Sequence, residues 1–176
     1  MLFNQNPDYF NQETERLLFR RLTETDIDSW VDFFINNDRL DYLGFDLNKD
    51  YTTLATEWIQ KQLDRYENEG LGHLAVIDKQ DKQFIGMAGI IPRVLNNQNY
   101  FEIAYSLKPA FWNKGYGTEM ARQMRNFGTD NGISQYFISI IHVANDASKH
   151  VAEKNGMRPL FDSTFMEMPV TVFSDN

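Results

Sequence analysis

One run, Trp112-Asn113-Lys114-Gly115-Tyr116-Gly117-Thr118-Glu119, constrains the fold of this chain more than any other. An alternating apolar segment, Phe101 to Leu107, precedes it, and a helix-like segment, Thr118 to Asn131, follows it. The chain must leave a strand, turn on glycines and enter a helix. Glycine has no Cβ, so backbone N–H groups can converge on an anion at such a turn. The helix start adds four unpaired N–H groups and the positive end of its dipole. Strand, glycine turn and helix in this order point to a diphosphate-bearing ligand.

The remaining segments alternate in the same way. Leu17 to Leu22 reads as a first strand, and Asp26 to Asn36 as a helix with acids in its first turn and Trp30, Phe33 and Phe34 at helical spacing. A second helix is expected from Thr52 or Thr53 to about Asn68, on the stripe Leu54, Trp58, Ile59, Leu63 and Tyr66. His73–Asp78, Phe84–Pro92 and Tyr100–Leu107 read as strands joined by polar turns. After the glycine turn and its helix come an apolar strand, Tyr136–Val143, and a short helix capped by Asn145 or Asp146. A last strand pair is expected within Arg158–Phe161 and Phe165–Phe173. No repeat or Pro/Gly/Ser-rich linker divides the chain. The expectation is a polar extension, residues 1–12, followed by one α+β domain, residues 13–176, with a mostly antiparallel sheet.

Composition narrows the function. The chain has 176 residues, 42% hydrophobic and 14% aromatic, enough for one ordered core. Its net charge of −8 argues against a generic nucleic-acid face. No apolar stretch is long enough to span a membrane, and the first residues lack a signal-peptide pattern, so the expected location is the cytoplasm. The absence of cysteine excludes a thiolate metal site or a Cys nucleophile. The three histidines form no cluster with acids at ligand spacing, so no metal is expected.

The glycine turn lacks the Lys-[Ser/Thr] ending of a nucleotide P-loop, and Met120 breaks the Gly-x-Gly-x-x-Gly pattern. Its neighbours make it specific. Glu102-Ile103-Ala104-Tyr105, then Trp112-x-x-Gly115-x-Gly117-Thr118-Glu119, then Asn145-x-x-Ser148 with Glu153-Lys154-Asn155-Gly156-Met157, together resemble the GNAT acetyltransferases. With Thr14-Glu15-Arg16-Leu17-Leu18-Phe19-Arg20 as opening strand, the chain is most similar to the RimJ/RimL-like branch, over roughly residues 13–161.

The resemblance implies a GNAT-like sheet splayed at the cofactor site between Tyr100–Leu107 and Tyr136–Val143, with flanking helices. Acetyl-CoA is the implied acyl donor. Its pyrophosphate would lie on backbone N–H groups of Lys114, Gly115, Tyr116, Gly117 and Thr118, beside Trp112. Its pantetheine arm would pair with Tyr105, Ser106 and Leu107, as an added strand does. Asn145 would touch the arm, and Ser148 would lie near the thioester sulfur. Two positions depart from the family pattern: Ala104 stands where Gly is usual, and Gly117 where Ala is common.

The implied reaction is direct acetyl transfer to a primary amine in a ternary complex. Glu102 is the candidate base, because an ammonium cannot attack a thioester, and Ser148 is the candidate acid, with Tyr105 as its rival. Asn and Ser are also favoured helix caps, and Glu102 could equally be a solvated edge carboxylate. Lys114, inside the turn, is the best placed cation for the phosphates, ahead of Arg122 and Arg125. Asp38, Asp41, Asp46, Asp50 and Glu57 fall where the family builds its acceptor pocket, and they would either attract a cationic amine or form a solvated loop. The acceptor is a peptide N-terminus or a small cationic amine. A non-catalytic acyl-CoA-binding sensor or partner subunit is the alternative class; it would keep the turn and lose the base. The apolar tail Phe165–Phe173 is a candidate edge for a homodimer.

Overall fold

The computed structural model describes residues 6–176. Among them, eight strands form one sheet: β1 (Asn11–Glu13), β2 (Leu17–Arg20), β3 (Gly72–Asp78), β4 (Phe84–Leu95), β5 (Gln98–Leu107), β6 (Ile138–His142), β7 (Arg158–Phe165) and β8 (Met168–Ser174). Their order across the sheet is β1-β2-β3-β4-β5-β6-β8-β7. Every neighbouring pair is antiparallel except β5 with β6. Four α-helices accompany the sheet: α1 (Ile27–Trp30), α2 (Tyr51–Glu69), α3 (Tyr116–Asp130) and α4 (Asp146–Lys154). The fold is a single α+β domain with a mostly antiparallel sheet.

Register assigns the two faces. In β4, an added methyl on Gly86 would meet Met120 of α3, and Ile90 lies against Gly128 of the same helix. Even-numbered residues of β4 therefore face α3. His73 of β3 pairs with Gly89, and its ring receives the indole N–H of Trp58 from α2. Odd-numbered residues of β4 therefore face α2. Residues directly opposite one another share a face, so Glu102, opposite Ile91, lies on the α2 side. Tyr105, opposite Ala88, lies on the α3 side. Covered by helices on both faces, β3 and β4 are almost continuously buried.

Local chemistry explains the boundaries. Both central residues of the β4–β5 hairpin, Asn96 and Asn97, have positive φ (50° and 61°), as its two-residue turn requires and as asparagine tolerates. The β7–β8 hairpin makes the same turn with Met166 and Glu167 (φ 51° and 62°), which are poorly suited to it. Helix α2 begins two or three residues earlier than a cap at Thr52 or Thr53 would set. Asp50, not a threonine, caps it by accepting from the Thr53 N–H at 2.9 Å.

Two expectations need correction. The helix expected over Asp26–Asn36 is one α-turn flanked by 3-10 turns at Glu24–Asp26 and Val31–Phe33. Side chains three apart eclipse in a 3-10 turn. Trp30 and Phe33 stack face to face as a result (4.7 Å, 11°), and Phe84 stacks on Trp30 at 5.2 Å. Aromatic packing overrides the helical periodicity that the same residues display. The tail Phe165–Phe173 is not a sheet edge either. Strand β8 lies between β6 and β7, and the edge strand is β7. Both faces of β8 are used within the chain, with Val172 and Phe173 buried.

The described part of the N-terminal segment packs. Tyr9 is 1% exposed, and its hydroxyl donates to the Gly72 carbonyl at 2.5 Å and accepts from the Ile90 N–H at 2.9 Å. Tyr9→Phe keeps the ring and leaves both buried backbone groups short of a partner. It should lower unfolding free energy by about 1–3 kcal/mol, read by urea denaturation.

Candidate active site

The glycine turn is braced from outside. Gly115 adopts a left-handed backbone (φ 79°) and caps α3. Behind the turn, Glu119 accepts from the Thr14 hydroxyl and from the Arg16 guanidinium, each at 2.6 Å. Arg16 also donates to the Lys114 carbonyl at 3.0 Å and lies 4.3 Å over the Tyr116 ring. Tyr116 in turn donates to Asp78 at 2.5 Å, which holds that carboxylate below its usual range. The motif's own acid is therefore a brace between the opening strand and the helix start. It leaves the turn's inner face free.

That inner face borders a cavity of about 380 Å³. Trp112, Gly115, Tyr116, Gly117 and Thr118 line one end, and Tyr105, Ser106, Leu107, Asn145 and Ser148 the other. The indole N–H of Trp112 donates to the Leu107 carbonyl at 2.8 Å and ties the turn to the end of β5. Lys114 is absent from the lining. Its ammonium donates to Ala110 at 3.1 Å and sits over the Phe111 ring, so only its backbone remains in the turn. Arg125 is likewise spent on Asp175. The cations that do border the cavity are Arg39, held 3.7 Å over Trp112, and Lys154 on α4. They sit far from the motif in sequence, which is why spacing alone missed them.

Strands β5 and β6 part at this cavity. Among the described residues they pair at one position, Glu102 with Ile138. The Ser139 hydroxyl donates to the Ile103 carbonyl at 2.9 Å, and beyond it the strands diverge. By the period-two alternation of a strand, the backbone of Tyr105 also points toward β6 and is left open to the gap. Helix α4 begins at the far side. Asn145 caps it by accepting from the Ser148 N–H at 3.2 Å, and the Tyr105 hydroxyl donates to the Ser148 carbonyl at 3.1 Å. Burial raises the Tyr105 phenol well above its ordinary value, so the hydroxyl stays protonated.

A second cavity, of about 620 Å³, opens on the α2 face. It shares Tyr105, Ser106, Asn145 and Ser148 with the first, so the two meet at the splay. Glu102 lines it, 6% exposed, and accepts from Arg93 at 2.6 Å. The hairpin register foretells this pair: Ile91 lies opposite Glu102, and Arg93 is the diagonal neighbour. Trp58, Tyr42 and His142 also border the cavity, with the His142 ring stacked on Tyr42 at 4.8 Å. Phe34, which packs against Trp58, lies in the core.

A family model described as acetyltransferase (GNAT) domain matches residues 16–158. The chain belongs to the GNAT acetyltransferase family. It is 29% identical to the Bacillus subtilis (strain 168) protein YkkB over 145 residues, which covers 82% of this chain and 83% of YkkB. Solved structures share its fold at lower identity. One is RimL, a ribosomal L7/L12 alpha-N-protein acetyltransferase (TM-score 0.76, 14% identical, 92% of this chain and 90% of that one). Another is the microcin C7 self-immunity acetyltransferase MccE in complex with acetyl-CoA and AMP (TM-score 0.75, 15% identical, 92% of each chain).

As a GNAT acetyltransferase the chain is an acyltransferase, and the family's donor is acetyl-CoA. The turn, the open strand and the helix cap form one continuous channel that suits an extended, diphosphate-bearing donor. The two departures from the family pattern fit this channel. A Cβ on Gly117 would meet Val151 at 3.5 Å, an ordinary contact, and Ala104 adds a single methyl. The acids of the 38–57 region do not assemble into an anionic pocket. Asp46 and Glu57 do line the wider cavity, but Asp46 accepts from Asn48 and Glu57 pairs with Lys49 at 2.7 Å, while Asp50 caps α2 and Asp38 and Asp41 lie outside the lining.

Gly117→Ala should raise unfolding free energy by about 0.5–1 kcal/mol, because alanine is the better helix former in a site with room for it. Thermal melting checks this. His73 supplies a pH test. Burial, then the charges of Arg65, Arg93 and Lys61, lower its pKa from 6.5 to about 3. Between those values the unfolded chain takes up a proton that the folded protein refuses. Stability should therefore fall as pH drops from about 6.5 toward 3, by up to about 1.4 kcal/mol per pH unit from this group. Denaturation curves of His73→Asn and the parent, compared from pH 7 to 5, should show a shallower pH dependence in the variant.

Proposed function

We propose that this protein transfers an acetyl group from acetyl-CoA directly to a primary amine, in the manner of the RimJ/RimL-like branch. The observation that carries the reading is the meeting of the two cavities at Tyr105, Ser106, Asn145 and Ser148, with Glu102 on the acceptor side of the junction. Donor and acceptor entering from opposite faces of the sheet would bring thioester and amine together at the splay.

In this mechanism Glu102 removes a proton from the acceptor ammonium, directly or through water. The free amine attacks the thioester carbonyl, and a backbone N–H in the open stretch of β5 receives the developing oxyanion. The C–S bond then breaks as the amide forms, and the leaving thiolate takes a proton from a hydroxyl at the junction. Ser148 and Tyr105 both border that point. With no cysteine in the chain, there is no thiol for an acetyl-enzyme intermediate. A sensor that bound acyl-CoA without turnover would have no use for a buried carboxylate at the junction.

The test is acceptor-dependent CoA release from acetyl-CoA, with peptide N-termini and small primary amines offered in parallel. Glu102→Gln should lower kcat about 100-fold or more while acetyl-CoA affinity is kept. Unchanged turnover would remove Glu102 as base. Tyr105→Phe and Ser148→Ala separate the two candidate acids by which of them loses kcat.

A further inference from the structure

The acceptor cavity carries more positive than negative charge where it approaches Glu102. Lys61 and Arg65 lie one turn apart on α2, and Arg93 reaches the same end from β4. The acids nearby do not balance them. Arg93 and Glu102 offset each other at 2.6 Å, Lys49 and Glu57 do so at 2.7 Å, and Asp46, which also lines the cavity, accepts from Asn48 beside Lys49, which leaves Lys61 and Arg65 in excess. Glu69 lies 3.9 Å from Arg65 and is not part of the cavity lining. Lys61 has no ion pair or hydrogen bond among the described residues.

The cations feel one another. Burial first, then Arg65 and Arg93, lower the proton affinity of Lys61. Burial and Arg93 do the same to Arg65. All three act on the buried ring of His73, which stays neutral and adds no counter-charge. Cations drawn together in a half-buried cavity repel one another unless an anion joins them. Glu102 remains the group that would attract an ammonium, so the cavity offers one anionic point and, beside it, an excess of positive charge.

We infer that the acceptor carries an anionic group, a carboxylate or a phosphate, in addition to its amine, and that Lys61 and Arg65 bind that group while the amine faces Glu102. This rests on the acetyl-transfer reading above and narrows it to acceptors with both charges. A polyamine or another purely cationic amine would meet the same cations unfavourably.

The experiment compares matched acceptors with the full chain and acetyl-CoA: β-alanine against propylamine for the carboxylate, and phosphoethanolamine against ethanolamine for the phosphate. The anionic member of at least one pair is expected to show a kcat/KM about tenfold higher or more, through KM. The pair that responds identifies the source. Lys61→Ala/Arg65→Gln should bring that ratio close to one, and Lys61→Glu alone, at an exposed position, should push it further toward the uncharged member. A thermal-shift arm reads binding without turnover. The preferred anionic amine should raise the melting temperature of the parent and not of the double variant.

Turnover that ignores acceptor charge, or a charge preference that survives both variants, overturns the anion site while acetyl transfer stands. A variant-sensitive thermal shift with no turnover on any amine upholds the anion site and overturns acetyl transfer. No turnover and no shift by any anionic amine overturns both.

Discussion

The splay between β5 and β6 is the constraint on which the rest of the molecule depends. A parallel pair that touches at Glu102 and Ile138 and then diverges leaves polar backbone inside the domain without ladder partners. Buried backbone groups without partners are costly, so such an opening persists only where something else can satisfy them. The glycine turn, the start of α4 and Glu102 all lie around this gap. The glycine turn is tied to one lip through Trp112 and Leu107, and the α4 cap faces it from the other. Glu102 sits at the point where the strands part.

The two faces of the sheet divide the labour. On the α3 side, left-handed Gly115, the helix start and the open strand form a channel suited to a long phosphate-bearing donor. On the α2 side, charge and aromatic surface line a wider cavity. Period-two alternation along β5 sends Glu102 to one side and Tyr105 to the other. Groups three residues apart in sequence thereby lie on opposite faces of one sheet.

Much of this was legible in the sequence, and unevenly so. The strand–turn–helix order around Gly115 and Gly117 is local, and local chemistry specifies it. The same holds for the Asn145 cap and for most of the strands. What the sequence concealed depended on packing between distant segments. The periodicity around Trp30 looked helical, yet stacking with Phe33 and Phe84 pulled it into 3-10 turns. Lys114 lay in the right motif but reached back to Ala110. The acids between positions 38 and 57 were compatible with a charged pocket or a solvated loop, and only Asp46 and Glu57 border the cavity, each with a local partner. The Arg93–Glu102 pair was accessible in principle. Once the Asn96-Asn97 turn is recognised as a two-residue hairpin, the register places them diagonally. The spacing of Lys61 and Arg65 along α2 was another available signal.

The hairpin that borders the acceptor cavity has a different character from the rest of the site. Its tip, Met166-Glu167, takes two left-handed residues with no glycine or asparagine, and Phe165, Met166 and Met168 line the cavity beside it. Methionine side chains are unbranched and adaptable, and a tip already held in an unfavourable backbone has little local preference to lose. None of Phe165, Met166 and Met168 lines the cavity beside the glycine turn. Substitutions there alter the wall of the wider cavity at residues that do not line the narrower one. One exposed hairpin can therefore change the shape of the α2-side cavity while the glycine turn keeps its braces.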